Sequence, residues 1–429
     1  MSTLRHVLLI AIAVHFAGAT VADDTTAIVN GRILVGDGSV VEGGTVVFQG
    51  ARIVAVGPEV AVPQGAAVVD ARGLWVTPGL IEPYSSIGLV EVAMERTTSD
   101  LNESTATATP ELLALDAINP DSALVAVARV GGVTTVHTSP GSVNPINGQT
   151  VILDLAGHTV DRMMVASGTF LVFNLGKDTG RPGGTGGASR YPSTRMGRVA
   201  FIRQALYDAQ AAGHREDAPR RGESARPQRS RNLRNEALQA ALDGRIRVIM
   251  AASDVPEIRS ALALAEEFHL DVVLLNPRHA WKCLDEIKTA GVPVLLGTAF
   301  SIPGDSEPHD RYYSLATALH EAGIPFAFTT GRGHAARTLP SHAGVSVAHG
   351  LPAEVAFRAL TLEPARILGI ADRYGSLEPG KMANVVLWNG DPLQNRSRVE
   401  RLFIRGAEIP LVSRHELLRD RFADPARVH

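Results

Sequence analysis

The chain is poor in the features that most often reveal a function. It has one cysteine, Cys283, in 429 residues, so an internal disulfide is impossible and no CxxC zinc or redox pair exists. Cys283 lies in the amphipathic stretch Trp281 to Ile287, which suits a core residue better than a nucleophile. The formal net charge is only −3, which leaves no basic footprint for nucleic acid and no acidic tail. No glycine-rich dinucleotide fingerprint follows a first strand, and neither a phosphate loop nor a nucleophile elbow is present. What remains is ordinary globular composition, 45% hydrophobic and 20% charged, which argues against disorder and against a polytopic membrane protein.

The first 22 residues carry Arg5 and His6, an apolar run from Val7 to Ala19, and small residues before Asp23. A charged start, an apolar stretch of about a dozen residues and a small-residue cleavage site describe a secretory signal peptide. The run is shorter than the roughly 20 residues a spanning helix needs, so no stable membrane span is expected once it is removed. Periplasmic or secreted location is the expectation.

From Ala27 to Val76, short β-branched runs such as AIVNGRIL and GTVVFQG are separated by glycines, the pattern of antiparallel strands joined by tight turns. Similar runs return in ANVVLWNGDP and VERLFIRGAEIP. Residues 23–77 and 375–429 are therefore expected to share one composite β-sandwich with a C-terminal tail. The middle, 78–374, alternates continuous apolar runs (IRVIMAAS, LDVVLLN, VPVLLGTA, IPFAFTT) with amphipathic stretches such as EIRSALALAEEF. Such alternation predicts an α/β fold with a parallel sheet under helices, best matched at this length by a (β/α)8 TIM-like barrel. A doubly wound sheet is the alternative that periodicity leaves open. Two stretches, Gly176 to Ser193 and Gly213 to Arg234, are rich in Gly, Pro, Ser and Arg and read as a Gly/Arg-rich insertion, 176–234, of surface loops.

Four segments carry a family resemblance. WVTPGLIEPYSSIGLVEV, at Trp75 to Val92, resembles the first barrel strand of the amidohydrolase superfamily, usually PGLIDxHxH. The long run from Leu101 to Gln149 and PSTRMG, at Pro192 to Gly197, are similar to an exported, imidazolonepropionase-like branch. LTLEPARILGIADRYGSLEPGKMANVVLWNGDPL, at Leu360 to Leu393, is similar to the superfamily's final helix and return strand. The resemblance implies a barrel, a composite sandwich and an ancestral hydrolysis of non-peptide C–N bonds, in cyclic amides or related small molecules. It also implies a bound metal that lowers the pKa of a water, held by histidines and carboxylates at the barrel's C-terminal rim.

Carried over position by position, the ligand residues are missing. The HxH falls on Tyr84 and Ser86, the fifth-strand histidine near Ala251, the sixth-strand histidine near Asn276 and the eighth-strand aspartate near Gly331. Ala and Gly offer no donor, and neutral Ser or Asn binds a metal weakly. No cofactor is expected on this reading; zinc enters only if the chain is an active hydrolase with a rearranged site. Weak candidates for catalysis are His137 at the end of the second strand, Glu82 in place of the motif's Asp, and His334 after the eighth strand. Tyr84, Ser86, Asn102, Glu103, Asn144, Gln149 and Asn276 are candidates to hold a small molecule, with loop bracing the plainer role for several of them.

Three functional readings follow. The first is a pseudoenzyme that binds a small molecule or accompanies an intact relative. The second is an active hydrolase with a displaced metal or none, since a barrel readily changes its chemistry through its loops. The third is an interaction module acting through the Arg-rich insertion. Pairing as a homodimer or with a competent paralogue, without nucleic acid, completes the expectation.

Overall fold

The computed structural model describes residues 24–176, 191–217, 231–297, 299–300, 308 and 310–423, the side chains of 214–217 excepted. The expected signal peptide (1–22), most of the glycine-rich stretch (177–190) and most of the arginine-rich stretch (218–230) lie outside the described residues.

Two eight-stranded sheets organise the chain. The first begins with β1 (Thr25–Leu34), β2 (Val40–Gln49), β3 (Arg52–Gly57), β4 (Ala67–Asp70) and β5 (Trp75–Pro78). The barrel follows, with β6 (Leu80–Ser85), β7 (Val133–Thr138), β8 (Ile146–Asp154), β9 (Met164–Asn174), β10 (Arg247–Ala251), β11 (Val272–Leu275), β12 (Val294–Leu296) and β13 (Phe326–Phe328). The chain then returns to the first sheet with β14 (Val385–Trp388), β15 (Val399–Ile404) and β16 (Ala407–Glu408).

The β-branched runs at the two chain ends meet because β14 pairs antiparallel with β5, Val386 opposite Thr77. Neither end has enough apolar surface for a core of its own. Together they enclose Ile28, Ile33, Phe48, Val76, Val385 and Phe403, and the Phe48 and Phe403 rings meet edge to face at 5.4 Å. Gly406, at φ +76°, lies where a Cβ would stand 1.8 Å from the Gly50 carbonyl oxygen. Only glycine permits that approach.

In the barrel sheet, β6 through β13 are neighbours in chain order. Seven strands share one direction, but β8 runs antiparallel to both β7 and β9. The apolar runs predict a wholly parallel sheet; the departure comes from the short turn after β7, which reverses the chain without a crossover helix. The two ends of the curved sheet are joined by other means than a continuous ladder. Ile81 N–H donates to the Leu360 carbonyl at 3.0 Å and Phe328 N–H to the Ala359 carbonyl at 3.2 Å. One turn further up, the Thr329 hydroxyl lies 2.9 Å from the Tyr84 carbonyl.

Large apolar side chains fill the barrel, among them Ile81, Phe170, Ile249, Val273 and Leu295, with Ile367 and Ile370 packed against the same cluster. The outer helices have local reasons to form. Val255–Phe268 starts at a capping box between Asp254 and Glu257, has Pro256 in its first turn, and stops at His269 in the left-handed region. Within the expected insertion, the helix Arg195–Asp217 buries Ile202, Leu206 and Ala209. Arg231 and Arg234, the described end of the arginine-rich stretch, pair with Glu236 and Glu111. No helix among the described residues is long and apolar enough to cross a membrane.

The sandwich and barrel are tied at a buried carboxylate. Asp154, fully buried at the end of β8, accepts from Arg405 Nε at 2.6 Å, the Tyr374 hydroxyl at 2.9 Å, Asn384 Nδ2 at 3.1 Å and the Thr135 hydroxyl at 2.9 Å. Burial first, and then the neighbouring Asp154 charge, push the Tyr374 phenol far above its ordinary range. Tyr374 therefore remains a donor at every ordinary pH.

Candidate ligand site at the barrel mouth

The C-terminal ends of the parallel strands converge on one rim, as barrel topology requires. Over the β6, β7 and β13 sector lies a cavity of about 1090 Å³. Its floor is Tyr84 to Ser86 after β6, Ser139 to Val143 after β7, and Gly331 to His334 after β13. The outer wall comes from Leu101, the helix Ala123–Val130 and the C-terminal helix Arg414–Phe422. The C-terminal helix starts at a Ser413–Glu416 capping box, and its His415 ring meets the His334 ring edge to face at 5.6 Å.

Tyr84 stands where the family resemblance would put the first histidine. It is 9% exposed, and its phenol stands beside Ser139 and Ser142. Burial pushes the phenol above its ordinary pKa, outweighing the two serines, so a neutral hydroxyl faces the cavity. The Ser86 hydroxyl accepts from Gly333 N–H at 3.1 Å and pins the loop after β13. Gly331 lines the cavity in the left-handed region, at φ +67°. Ala251 and Asn276 stand outside the cavity lining. Asn276 accepts from the Tyr312 hydroxyl at 2.8 Å.

Glu82 and His137 lie beneath the mouth, fully buried. Glu82 closes the seam: its carboxyl bonds the Thr329 hydroxyl, Thr330 N–H at 2.9 Å, the Thr330 hydroxyl at 2.6 Å and Tyr84 N–H at 3.2 Å. Burial raises its pKa to about 7 against these hydrogen bonds. Geometry supports the protonated form. The single Thr329 proton faces two oxygens, Glu82 Oε1 and the Tyr84 carbonyl. If Glu82 donates to Thr329, then Thr329 donates to Tyr84 and every partner is satisfied. His137 places Nδ1 2.9 Å from the Pro83 carbonyl and Nε2 2.6 Å from the Thr150 hydroxyl. A carbonyl only accepts, so Nδ1 carries the proton and Nε2 receives the Thr150 hydrogen. Burial lowers its pKa to about 4, which leaves a neutral imidazole with both nitrogens engaged.

Of the other candidates, Asn102 and His334 line the cavity. Glu103 does not: its side chain accepts from Thr105 N–H at 2.8 Å, while Asn144 Nδ2 donates to the Glu103 carbonyl at 2.6 Å. Gln149 Nε2 donates to the Pro110 carbonyl at 3.0 Å. These three brace the loops between the first two strands. His342, on the helix Leu339–Ala348 that follows β13, is buried and accepts Ala299 N–H at Nδ1, 2.9 Å away. Burial lowers its pKa to about 4. Residues that sequence reasoning passed over are Arg332, Arg414, His415, Ser139 and Ser142. The capping box at Ser413 marks a helix in the sequence, but nothing local says that it covers the barrel mouth.

Among the described residues, no three His, Cys, Asp or Glu side chains are grouped to hold a metal ion. The five expected ligand positions offer a buried phenol, an engaged hydroxyl, an engaged amide and two residues without a side-chain donor. This set does not fit a metal-bound hydroxide.

The architecture defines the class: a TIM-like α/β barrel with a composite sandwich and a rim cavity where barrel hydrolases work. Residues 305–409 match the model of the amidohydrolase family. A crystal structure of an amidohydrolase from Thermotoga maritima MSB8 superposes with a TM-score of 0.80 and 28% identity, covering 90% of this chain and 99% of that one. Imidazolonepropionase of Caulobacter vibrioides is 25% identical over 388 residues, 82% of this chain and 88% of the relative. Amidohydrolase tasK of Hapsidospora irregularis is 26% identical over 358 residues, 78% of this chain; the match spans only 36% of that longer relative. The chain is thus similar to amidohydrolases over most of its length, and its C-terminal segment matches that family's model.

Proposed function

We propose that this chain is a pseudoenzyme: an exported amidohydrolase-fold protein that binds a small molecule at its barrel mouth without the family's metal-activated water. The observation that carries the reading is Tyr84. Its phenol stands where the family resemblance puts the first ligand, beside Ser139 and Ser142, at a cavity of about 1090 Å³. That volume suits a drug-sized ligand, so the binding function of the rim is supported while the donors for hydrolysis are not. Export rests on the N-terminal pattern alone. Sequencing of the mature protein should begin at Asp23.

Elemental analysis of the purified mature protein, combined with a thermal-shift screen, tests the binding reading. Protein without stoichiometric zinc that melts higher with a small organic ligand supports it. Ligand at about 100 times its dissociation constant adds about 2.7 kcal/mol. Stoichiometric zinc with chelator-sensitive hydrolysis of a hydantoin or a dipeptide overturns it in favour of a rearranged metal site. Metal-free hydrolysis overturns it in favour of altered chemistry.

A further inference from the structure

The lining of the mouth cavity is of two kinds. Val90, Val92, Leu101, Leu124, Val143 and Leu418 are apolar. Arg332 and Arg414 are cationic, on segments joined by the 5.6 Å contact between the His334 and His415 rings. Among the described residues neither guanidinium is engaged in an ion pair, whereas those of Arg195, Arg234, Arg358 and Arg405 are. Among the described lining residues the one carboxylate, Glu91, is turned aside: it accepts from Asn119 Nδ2 at 3.1 Å and from Ala123 N–H at 3.2 Å.

Two arginines against one carboxylate leave these three side chains with a single net positive charge. A monoanion matches that balance; a dianion exceeds it. Arginine is also the side chain whose planar fork pairs best with a carboxylate, and a half-apolar site strengthens such a pair.

We infer that the ligand of this mouth is a monoanionic organic carboxylate with an apolar body, its carboxylate paired with Arg332 and Arg414 and its body against apolar lining residues such as Leu101 and Leu124. The inference deepens the binding reading and rests on it. It makes the C-terminal helix part of the site, since that helix supplies Arg414 and Leu418.

Calorimetric titration with four probes tests it: 3-phenylpropionate, its neutral isostere 3-phenylpropionamide, phenyl phosphate and hydantoin. The acid should bind about tenfold or more tighter than the amide, since a charge-assisted pair is roughly twice as strong as a neutral one. Added salt should narrow that gap. Arg332→Gln and Arg414→Gln should each weaken the acid and leave the amide unchanged. Both side chains are exposed, so the variants should melt like the parent, and Arg→Lys should restore part of the preference. Equal binding of acid and amide, tighter binding of phenyl phosphate than of the acid, or full acid binding in the double variant would overturn the inference. If hydantoin binds and the acid does not, the carboxylate inference falls and the binding reading stands. If none of the four binds, both fall.

Discussion

Replacing Glu82 by Gln should make the protein less sensitive to rising pH, and the size of the change follows from the seam. In the folded chain Glu82 holds its proton up to about pH 7, against an ordinary value of 4.5, because burial outweighs its hydrogen bonds. Below pH 4.5 both folded and unfolded chains carry the proton. Between 4.5 and about 7 the unfolded chain releases it first, so the folded state binds more protons and stability falls as pH rises. Each tenfold in proton affinity is worth about 1.4 kcal/mol, so the gap between 4.5 and about 7 comes to about 3 kcal/mol. Gln does not titrate, and its amide can donate to Thr329 while accepting from Thr330, as the protonated acid does. Urea unfolding of the two proteins side by side, from pH 4.5 to 8, isolates the effect, because other titrating groups cancel in the difference. Glu82→Gln should gain on the parent by about 3 kcal/mol across that window. A difference that stays flat with pH, or that moves against the variant as pH rises, would show that Glu82 is ionised in the seam.

The remaining predictions concern neighbouring parts of the molecule. His137 is held neutral to about pH 4, so as pH falls from 6.5 the unfolded chain is protonated first and stability drops by about 3 kcal/mol; His137→Gln should flatten this acid limb in the same unfolding assay. Arg405→Met leaves the fully buried Asp154 without its cation, and a loss of about 3 kcal/mol in unfolding free energy is expected; a loss below about 1 kcal/mol, the range of surface pairs, would contradict that role. Restoring the motif with Tyr84→His and Ser86→His should fail to recruit stoichiometric zinc after gel filtration, because two imidazoles fall short of the three protein ligands of a catalytic site; elemental analysis reads the result directly.

The sequence by itself determined the frame. Alternating apolar runs and amphipathic stretches specify strands and helices through side-chain period, a local property. The PGLIEPYSS segment placed Tyr84 and Ser86 at the end of the first barrel strand, where both indeed line the mouth. Glycine punctuation and the return of β-branched runs at the C-terminus indicated that the chain ends share a sheet, as the β5 and β14 ladder shows.

Tertiary structure alone decided the rest. The direction of β8 depends on whether the chain after β7 turns back at once or first makes a helix, and an apolar run reads the same either way. Glu82, His137, Asn144 and Gln149 looked like rim chemistry in one dimension. Their roles depend on partners such as Thr329, 247 residues away from Glu82, which no local pattern reveals. The same distance concealed Arg414 and His415: the tail became a wall of the mouth only when the sandwich brought it back over the helix Ala123–Val130. Spacing along a strand fixes which way a side chain points, but a site is made by convergence in space, and that belongs to the fold.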